Sequence, residues 1–362
     1  MNSLWSAVLD KVSPEVIVSV LVGVIVGLLL KAGSAALNRL IKSSDYITDL
    51  LAALPRYLLL RRFVLSNKTP LIAYRKAAAI SRGSKVPKSI CLVNFKGGVG
   101  KSTTAANLAA ALNVKFAQRV LIVDLDYQGS LSTHLHSTDE PLKDTAGEWL
   151  KSGPSKKLLQ EHPPEAVAGL TGVGIVTSNQ NLTDVEDNMM QRWLMGLKIG
   201  GDVRTIFARI LNSRQVRLAD QYDIVIFDAP PRASLSTSNA LYAADYIIIP
   251  AKPEALSIEP IPKLMEYLDW YRGVVDARFK VLGVMWNLTF QADGLTVPET
   301  QAIGTFLKAA PPQLASIIPD LARIRNSSVV PAYLGSDVQV RACYDRLASE
   351  VANALGIPHS SV

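Results

Sequence analysis

Two kinds of apolar pattern divide the chain. Val16–Leu30, VIVSVLVGVIVGLLL, is fifteen residues without a charge, and AGSAAL at 32–37 extends the uncharged face past Lys31. As a helix the fifteen residues reach roughly 22 Å, short of a ~30 Å hydrocarbon core until residues up to Leu37 and a snorkelling Lys31 are added. From Ile90 the pattern changes to short runs rich in β-branched residues: ICLVNF (90–95), RVLIVDLD (119–126), VGIVTS (173–178), YDIVIFD (222–228), ADYIIIPA (244–251) and FKVLGVMWNL (279–288). Helically spaced segments separate most of them. Continuous runs of this kind are strands buried on both faces, so the expected fold is α/β, a mostly parallel, doubly wound sheet with helices on both sides. The expected organisation is a short tail (1–15), a transmembrane helix (16–37), basic amphipathic helices and a linker (38–88), and a catalytic domain (89–362).

Charge sharpens the first half of that picture. The 362 residues carry 38 Lys+Arg and 31 Asp+Glu, net +7. Residues 31–88 hold twelve bases and two acids, whereas 89–362 hold 25 bases and 27 acids. The excess therefore sits directly behind the apolar run. Under the positive-inside rule the N-terminus is expected outside and the bulk of the chain in the cytoplasm, as a single-pass membrane protein. Ile47–Leu65 alternates apolar clusters with Arg around Pro55 and suits an anionic leaflet, so membrane lipid is an expected partner. Gly23 and Gly27 have the GxxxG spacing that lets helices approach closely. A cleaved signal peptide fits poorly, because Asp10 and Glu15 flank the lone Lys11. Two cysteines, Cys91 and Cys343, exclude a disulfide scaffold.

KGGVGKST (96–103) carries the chemistry. Gly97, Gly98 and Gly100 allow successive backbone N–H groups to face a phosphate at a helix N-terminus. Lys101 is placed to reach the β- and γ-phosphates, and Ser102 to ligate Mg2+. Phe95 stands where the usual motif has its first Gly, and Lys96 is an additional lysine directly before Gly97.

Lys96-Gly97-Gly98-Val99-Gly100-Lys101-Ser102-Thr103 resembles the deviant Walker A motif of the ParA/MinD/Soj ATPases. VLIVDLDYQGSLS (120–132) is similar to the family's D-x-D-P-Q-G element, with Tyr127 in place of Pro. YDIVIFDAPP (222–231) resembles its Walker B and second switch, and IIPDLARIRNSS (317–328) its I-P-x-x-x-R stretch. The resemblance covers roughly 88–356. It implies a P-loop NTPase fold, with ATP and Mg2+ bound by residues 96–103. It also implies an ATP-sandwiched homodimer in which Lys96 reaches the partner's phosphates, and slow hydrolysis with Asp126 orienting the attacking water. Asp124 and Asp228 match acids that hold Mg2+ through its waters. Asn287 matches an adenine contact, and Pro319 is a further candidate.

The expected function is a membrane-anchored ATPase switch that recruits or positions a protein partner. A nucleotide-gated scaffold of a secretion, polysaccharide or phage-defence complex is one alternative. DNA partitioning through Arg323, Arg325, Arg341 and Arg346 is another, and the near-neutral catalytic block does not favour it. His134, His136, His162 and His359 have no ligand spacing with cysteine and read as surface residues.

Overall fold

The structure, a computed structural model, describes residues 86–136, 140–194, 202–291, 294–307, 311–320 and 331–358. The tail and transmembrane helix expected at 1–37, and the basic segment as far as residue 85, lie outside the described residues. Among the described residues no helix is long and apolar enough to cross a membrane. By compactness the chain divides at Arg61/Arg62, and every described residue belongs to the second unit.

The β-branched runs form the sheet they predict. The strands are β1 (Lys88–Leu92), β2 (Val120–Asp124), β3 (Glu165–Ala166), β4 (Val173–Val176), β5 (Ile224–Asp228), β6 (Tyr246–Ala251), β7 (Lys280–Thr289) and β8 (Ile318–Pro319). Their order across the sheet is β3-β4-β2-β5-β1-β6-β7-β8. Only β3, a two-residue edge strand, runs antiparallel to its neighbour; the other pairings are parallel. Every residue of β2 and of β5 is buried, as a parallel strand covered on both faces requires.

Alternation along the strands sends side chains into two cores. Ile90, Leu92, Ile122, Ile226 and Ile248 face one side, where α1 (Lys101–Phe116) packs on the closing helix α11 (Val338–Leu355). The alanines of α1 (Ala105, Ala106, Ala109–Ala111) are buried there and let the two helices and the sheet approach closely. Cys91, Leu121, Val123, Val225, Phe227 and Ile247 face the other side. The helix α2 (Ser130–Leu135) sends Leu131 and Leu135 into the first core, and the second layer holds α3 (Thr145–Ser152), α4 (Leu158–Glu161), α5 (Asn181–Leu194), α6 (Ile206–Leu211), α7 (Leu235–Ala243), α8 (Ala255–Ile258), α9 (Ile261–Val275) and α10 (Val297–Phe306).

One polar side chain that enters these cores is bonded at every turn. Asn239 on α7 is fully buried. Its Oδ1 accepts from the backbone N–H of Ile206 (2.8 Å) and Phe207 (3.3 Å), and its Nδ2 donates to the carbonyls of Val203 (2.7 Å) and Leu235 (3.1 Å). One side chain thus satisfies the first orphan amides of α6 and ties that helix to α7. Replacing Asn239 by Leu keeps the volume but strands buried donors and acceptors. An expected loss of about 3 kcal/mol follows from the cost of unpaired buried groups, read as a lower urea midpoint with unchanged m-value.

At the sheet margin the His136 ring lies 2.6 Å from Glu165 Oε2 and 2.6 Å from the Glu140 carbonyl. Bonding to Glu165 first, then to Glu140, raises the His136 pKa. A histidine raised on folding stabilises the fold fully below its ordinary value of 6.5, and that contribution disappears as pH rises through the folded value. Thermal stability is therefore expected to fall as pH rises above 6.5, and His136→Gln is expected to flatten that slope, measured as Tm against pH.

Candidate functional site

The parallel register builds the site. Asp124 ends β2 and Asp228 ends β5, and the two are direct cross-strand partners. Leu92, at the end of β1, is the next partner of Asp228. The chain leaving β1 therefore enters its glycine-rich turn beside two carboxylates, at the carboxyl end of a parallel sheet where open α/β folds place their ligands.

Backbone geometry shapes the turn. Asn94, buried after β1, donates from Nδ2 to the Pro250 carbonyl (2.8 Å) and accepts from the Lys96 N–H (2.9 Å), fixing the turn's start to β6. Gly98 and Gly100 sit at φ 71° and 84°, the left-handed region that penalises a side chain. Cβ atoms at Gly97 or Gly98 would meet nothing within 4 Å, so that side of the loop is open. At Gly100 a Cβ would lie 2.1 Å from Asn287 Nδ2. Gly100 then caps α1 with no side-chain acceptor of its own, so the helix's first amides have no local capping oxygen.

Lys101 is nearly buried, and its Nζ donates to the Lys96 carbonyl at 3.2 Å. Burial lowers its pKa, opposed by Asp228, Asp126 and Cys91. Lys96 is half-exposed, Ser102 half-exposed and Thr103 exposed at the loop's surface, while Val99 is buried. Asn287, expected from the resemblance to touch adenine, is buried beneath the loop. Its Nδ2 donates to the Val99 carbonyl at 2.9 Å, and its Oδ1 accepts from the Leu288 N–H. Pro319 is buried in β8, whose register sets it beside Thr289 of β7.

The acids differ in their surroundings. Asp124 is fully buried, with Oδ2 accepting from Ser132 N (2.9 Å) and Oγ (2.6 Å) and Oδ1 accepting from Asp126 N (3.0 Å). Burial raises its pKa, and those hydrogen bonds oppose the rise. Asp228 is equally buried, yet neither carboxylate oxygen has a hydrogen-bond partner. Burial, then repulsion from Asp124, pushes its carboxyl well above the usual range; the nearby Ser102 hydroxyl and Lys101 pull it down without closing a hydrogen bond. Asp126 lies one turn outward. Its Oδ1 accepts from Gln128 N (3.1 Å), and its carbonyl accepts from Gly129 N (2.8 Å) and Ser178 Oγ (2.6 Å). Desolvated carboxylate oxygens without donors, beside a hydroxyl at the foot of an anion-shaped loop, are a donor set suited to a hard divalent cation. Among the described residues no three His, Cys, Asp or Glu converge to hold a metal by themselves. That suits Mg2+, which keeps waters and phosphate oxygens in its shell.

Sequence reasoning named the loop and the three acids but not what supports them. Ser132 closes the motif 120–132 and Asn94 lies two residues before the glycine-rich motif, so their positions carried a signal. Arg232, just past the second acid motif, and Glu186, in the middle of α5, carried none. Of the arginines offered for nucleic acid, Arg323 and Arg325 lie outside the described residues. Arg341 and Arg346 are exposed on α11, where they donate to the Tyr333 carbonyl and to Cys343 Sγ respectively.

Comparison with known proteins identifies relatives of this chain. A family model described as an AAA domain matches residues 87–281, more than half of the chain. The chromosome partitioning protein ParA of Myxococcus xanthus is 32% identical over 219 residues, 59% of this chain and 71% of that protein. The chromosome-partitioning ATPase Soj of Thermus thermophilus is 32% identical over 199 residues, 55% of this chain and 68% of that one. The septum site-determining protein MinD of Pyrococcus horikoshii, solved with Mg-ADP, shares the fold with a TM-score of 0.56 at 20% identity, covering 76% of this chain and 100% of its own. The motifs, the register that brings them together and these likenesses make the chain a member of the ParA/MinD/Soj family of P-loop ATPases.

Proposed function

We propose that the chain is a Mg2+-dependent ATPase switch, slow in turnover, that closes into an ATP-sandwiched homodimer and positions or recruits a protein partner at the inner (cytoplasmic) membrane of a bacterium. The observation that carries the reading is the pair of unpartnered Asp228 oxygens beside Ser102, under a loop whose glycines leave space for phosphate. ATP binding falls to residues 96–103. Their amides, with Lys101, neutralise phosphate charge in a site where low dielectric strengthens each contact. Bound Mg2+ supplies charge neutralisation at the β- and γ-phosphates. Ser102 and Asp228 are its nearest candidate holders, and Asp124, whose oxygens are already occupied, holds the turn that presents Asp126. Asp126 orients the attacking water, and Lys96 reaches the partner's nucleotide across the dimer. Asn287 supports the loop from below; contact with adenine is assigned to it and to Pro319 only through the family likeness.

Membrane attachment rests on the sequence, on the uncharged stretch from Val16 and the basic residues behind it. The likeness to chromosome partitioning proteins favours a second reading, in which the ATP-bound dimer holds DNA. A salt-series gel shift of the full chain with and without ATP separates the two: ATP-dependent retention at low salt supports the DNA reading. Recovery of the full chain in the membrane fraction after alkaline washing supports the anchor, and release into the supernatant excludes it.

Phosphate release assays test the chemistry. Lys101→Ala and Asp126→Ala are each expected to lower turnover by about 10²-fold or more, as loss of a transition-state contact does, and equal turnover in all three proteins overturns the ATPase reading. Gly100→Ala is expected to abolish nucleotide binding, since its Cβ would collide with Asn287 and its φ is left-handed. Equilibrium binding of a fluorescent ATP analogue reads this.

A further inference from the structure

Three side chains from separate parts of the chain meet beside the turn that carries Asp126. The Arg232 guanidinium lies over the Tyr127 ring, 4.7 Å from its centroid. Its NH2 group donates to Glu186 Oε2 at 2.9 Å. The other oxygen of Glu186 accepts from Ser234 Oγ (2.9 Å) and from Ser236 N (2.6 Å), at the start of α7. Glu186 is 5% exposed and Arg232 30% exposed, so the ion pair is largely desolvated. The Arg232 carbonyl accepts from Thr237 Oγ1 at 2.6 Å, which fixes the backbone from which the guanidinium extends.

We infer that Arg232 is a positioning residue for the hydrolytic step, clamping the Asp126–Gly129 turn through Tyr127 while anchored on Glu186. The inference rests on the ATPase reading above for its kinetic part only. Asp126 and Tyr127 are adjacent, so a ring held under the guanidinium limits how far the Asp126 carboxylate can swing. A planar guanidinium both stacks on an aromatic face and bonds a carboxylate, which a lysine ammonium cannot do together. Tyr127 occupies the position where the family pattern carries Pro, a residue that restricts its own backbone. Here the restriction passes to a side-chain stack. The clamp also joins three elements whose relative placement sets the site: the turn after β2, the segment after β5 and the middle of α5.

The test uses the full chain and two independent readouts. In steady-state hydrolysis, Arg232→Ala is expected to lower kcat about tenfold or more with KM for ATP nearly unchanged, since the group touches no nucleotide and misplacement of a positioned reactant acts on the rate step. Arg232→Lys recovers part of the loss. Tyr127→Phe keeps the ring and full activity, Tyr127→Leu loses as much as Arg232→Ala, and the double variant is no worse than either. In hydrogen exchange, the Gln128 and Gly129 amides, which bond Asp126 itself, exchange faster in Arg232→Ala. Arg217→Ala, at an exposed surface ion pair with Asp220, leaves both readouts as in the parent. Unchanged exchange at those amides overturns the clamp whether or not the protein hydrolyses ATP. An unchanged kcat in Arg232→Ala, or a Tyr127→Phe protein as impaired as Tyr127→Leu, overturns it too. A parent protein without hydrolysis counts against the ATPase reading instead, and the exchange result then decides the clamp alone.

Discussion

Two carboxylates and one ammonium share a buried corner of this protein, and the rest of the site is arranged around that electrostatic problem. Asp124 and Asp228 are cross-strand partners with almost no exposure, and Lys101 is only slightly more accessible. Desolvation opposes the charge of all three; repulsion from Asp124 opposes that of Asp228 further, while Asp228 and Asp126 favour that of Lys101. The protein resolves half of the conflict internally. Asp124 receives three hydrogen bonds from Ser132 and Asp126, so its charge is spread over a turn. Asp228 receives none and is left to an external charge. That asymmetry between equivalent strand ends marks a ligand site, because among the described residues Asp228 is the carboxylate left with both buried oxygens unpaired.

The parallel sheet makes the asymmetry sustainable. Strands buried on both faces and locked by register cannot shift to bring the acids apart without reversing every side chain from one core to the other. The small residues of α1 let the loop's helix lie close on the sheet, and α11 seals it from outside. Loops that leave the strand ends are then pinned one by one: Asn94 to β6, Asn287 to the glycine turn, Ser178 to the Asp126 carbonyl, Arg232 to Tyr127 and Glu186. Each pin is a polar side chain spent on a backbone or a charged partner, the pattern expected where a site must keep its shape without its ligand.

Much of this was legible in the chain itself. The six β-branched runs read as buried strands are strands of one sheet, and the glycine turn begins α1 as phosphate binding requires. Composition of the runs sufficed because continuous apolar sequence has few other stable destinations. Two short strands escaped. Glu165–Ala166 is polar and only two residues long, and Ile318–Pro319 is recognisable only by the neighbour it pairs with. Asn287 shows the limit for single residues: the family resemblance marked it as near the nucleotide, and the structure shows, within β7, its amide nitrogen donating to the Val99 carbonyl beneath the glycine turn.

The sequence alone determined the α/β class, the phosphate-shaped turn, the candidate acids and the concentration of positive charge in residues 31–88, because these depend on local composition and spacing. Only the tertiary structure decided which acid keeps free oxygens, which asparagine supports the loop, and that Arg232 and Glu186 belong to the site. Those are questions of which side chains meet. Partners far apart in the chain are brought together by strand register and helix packing, and no local pattern of residues encodes that meeting.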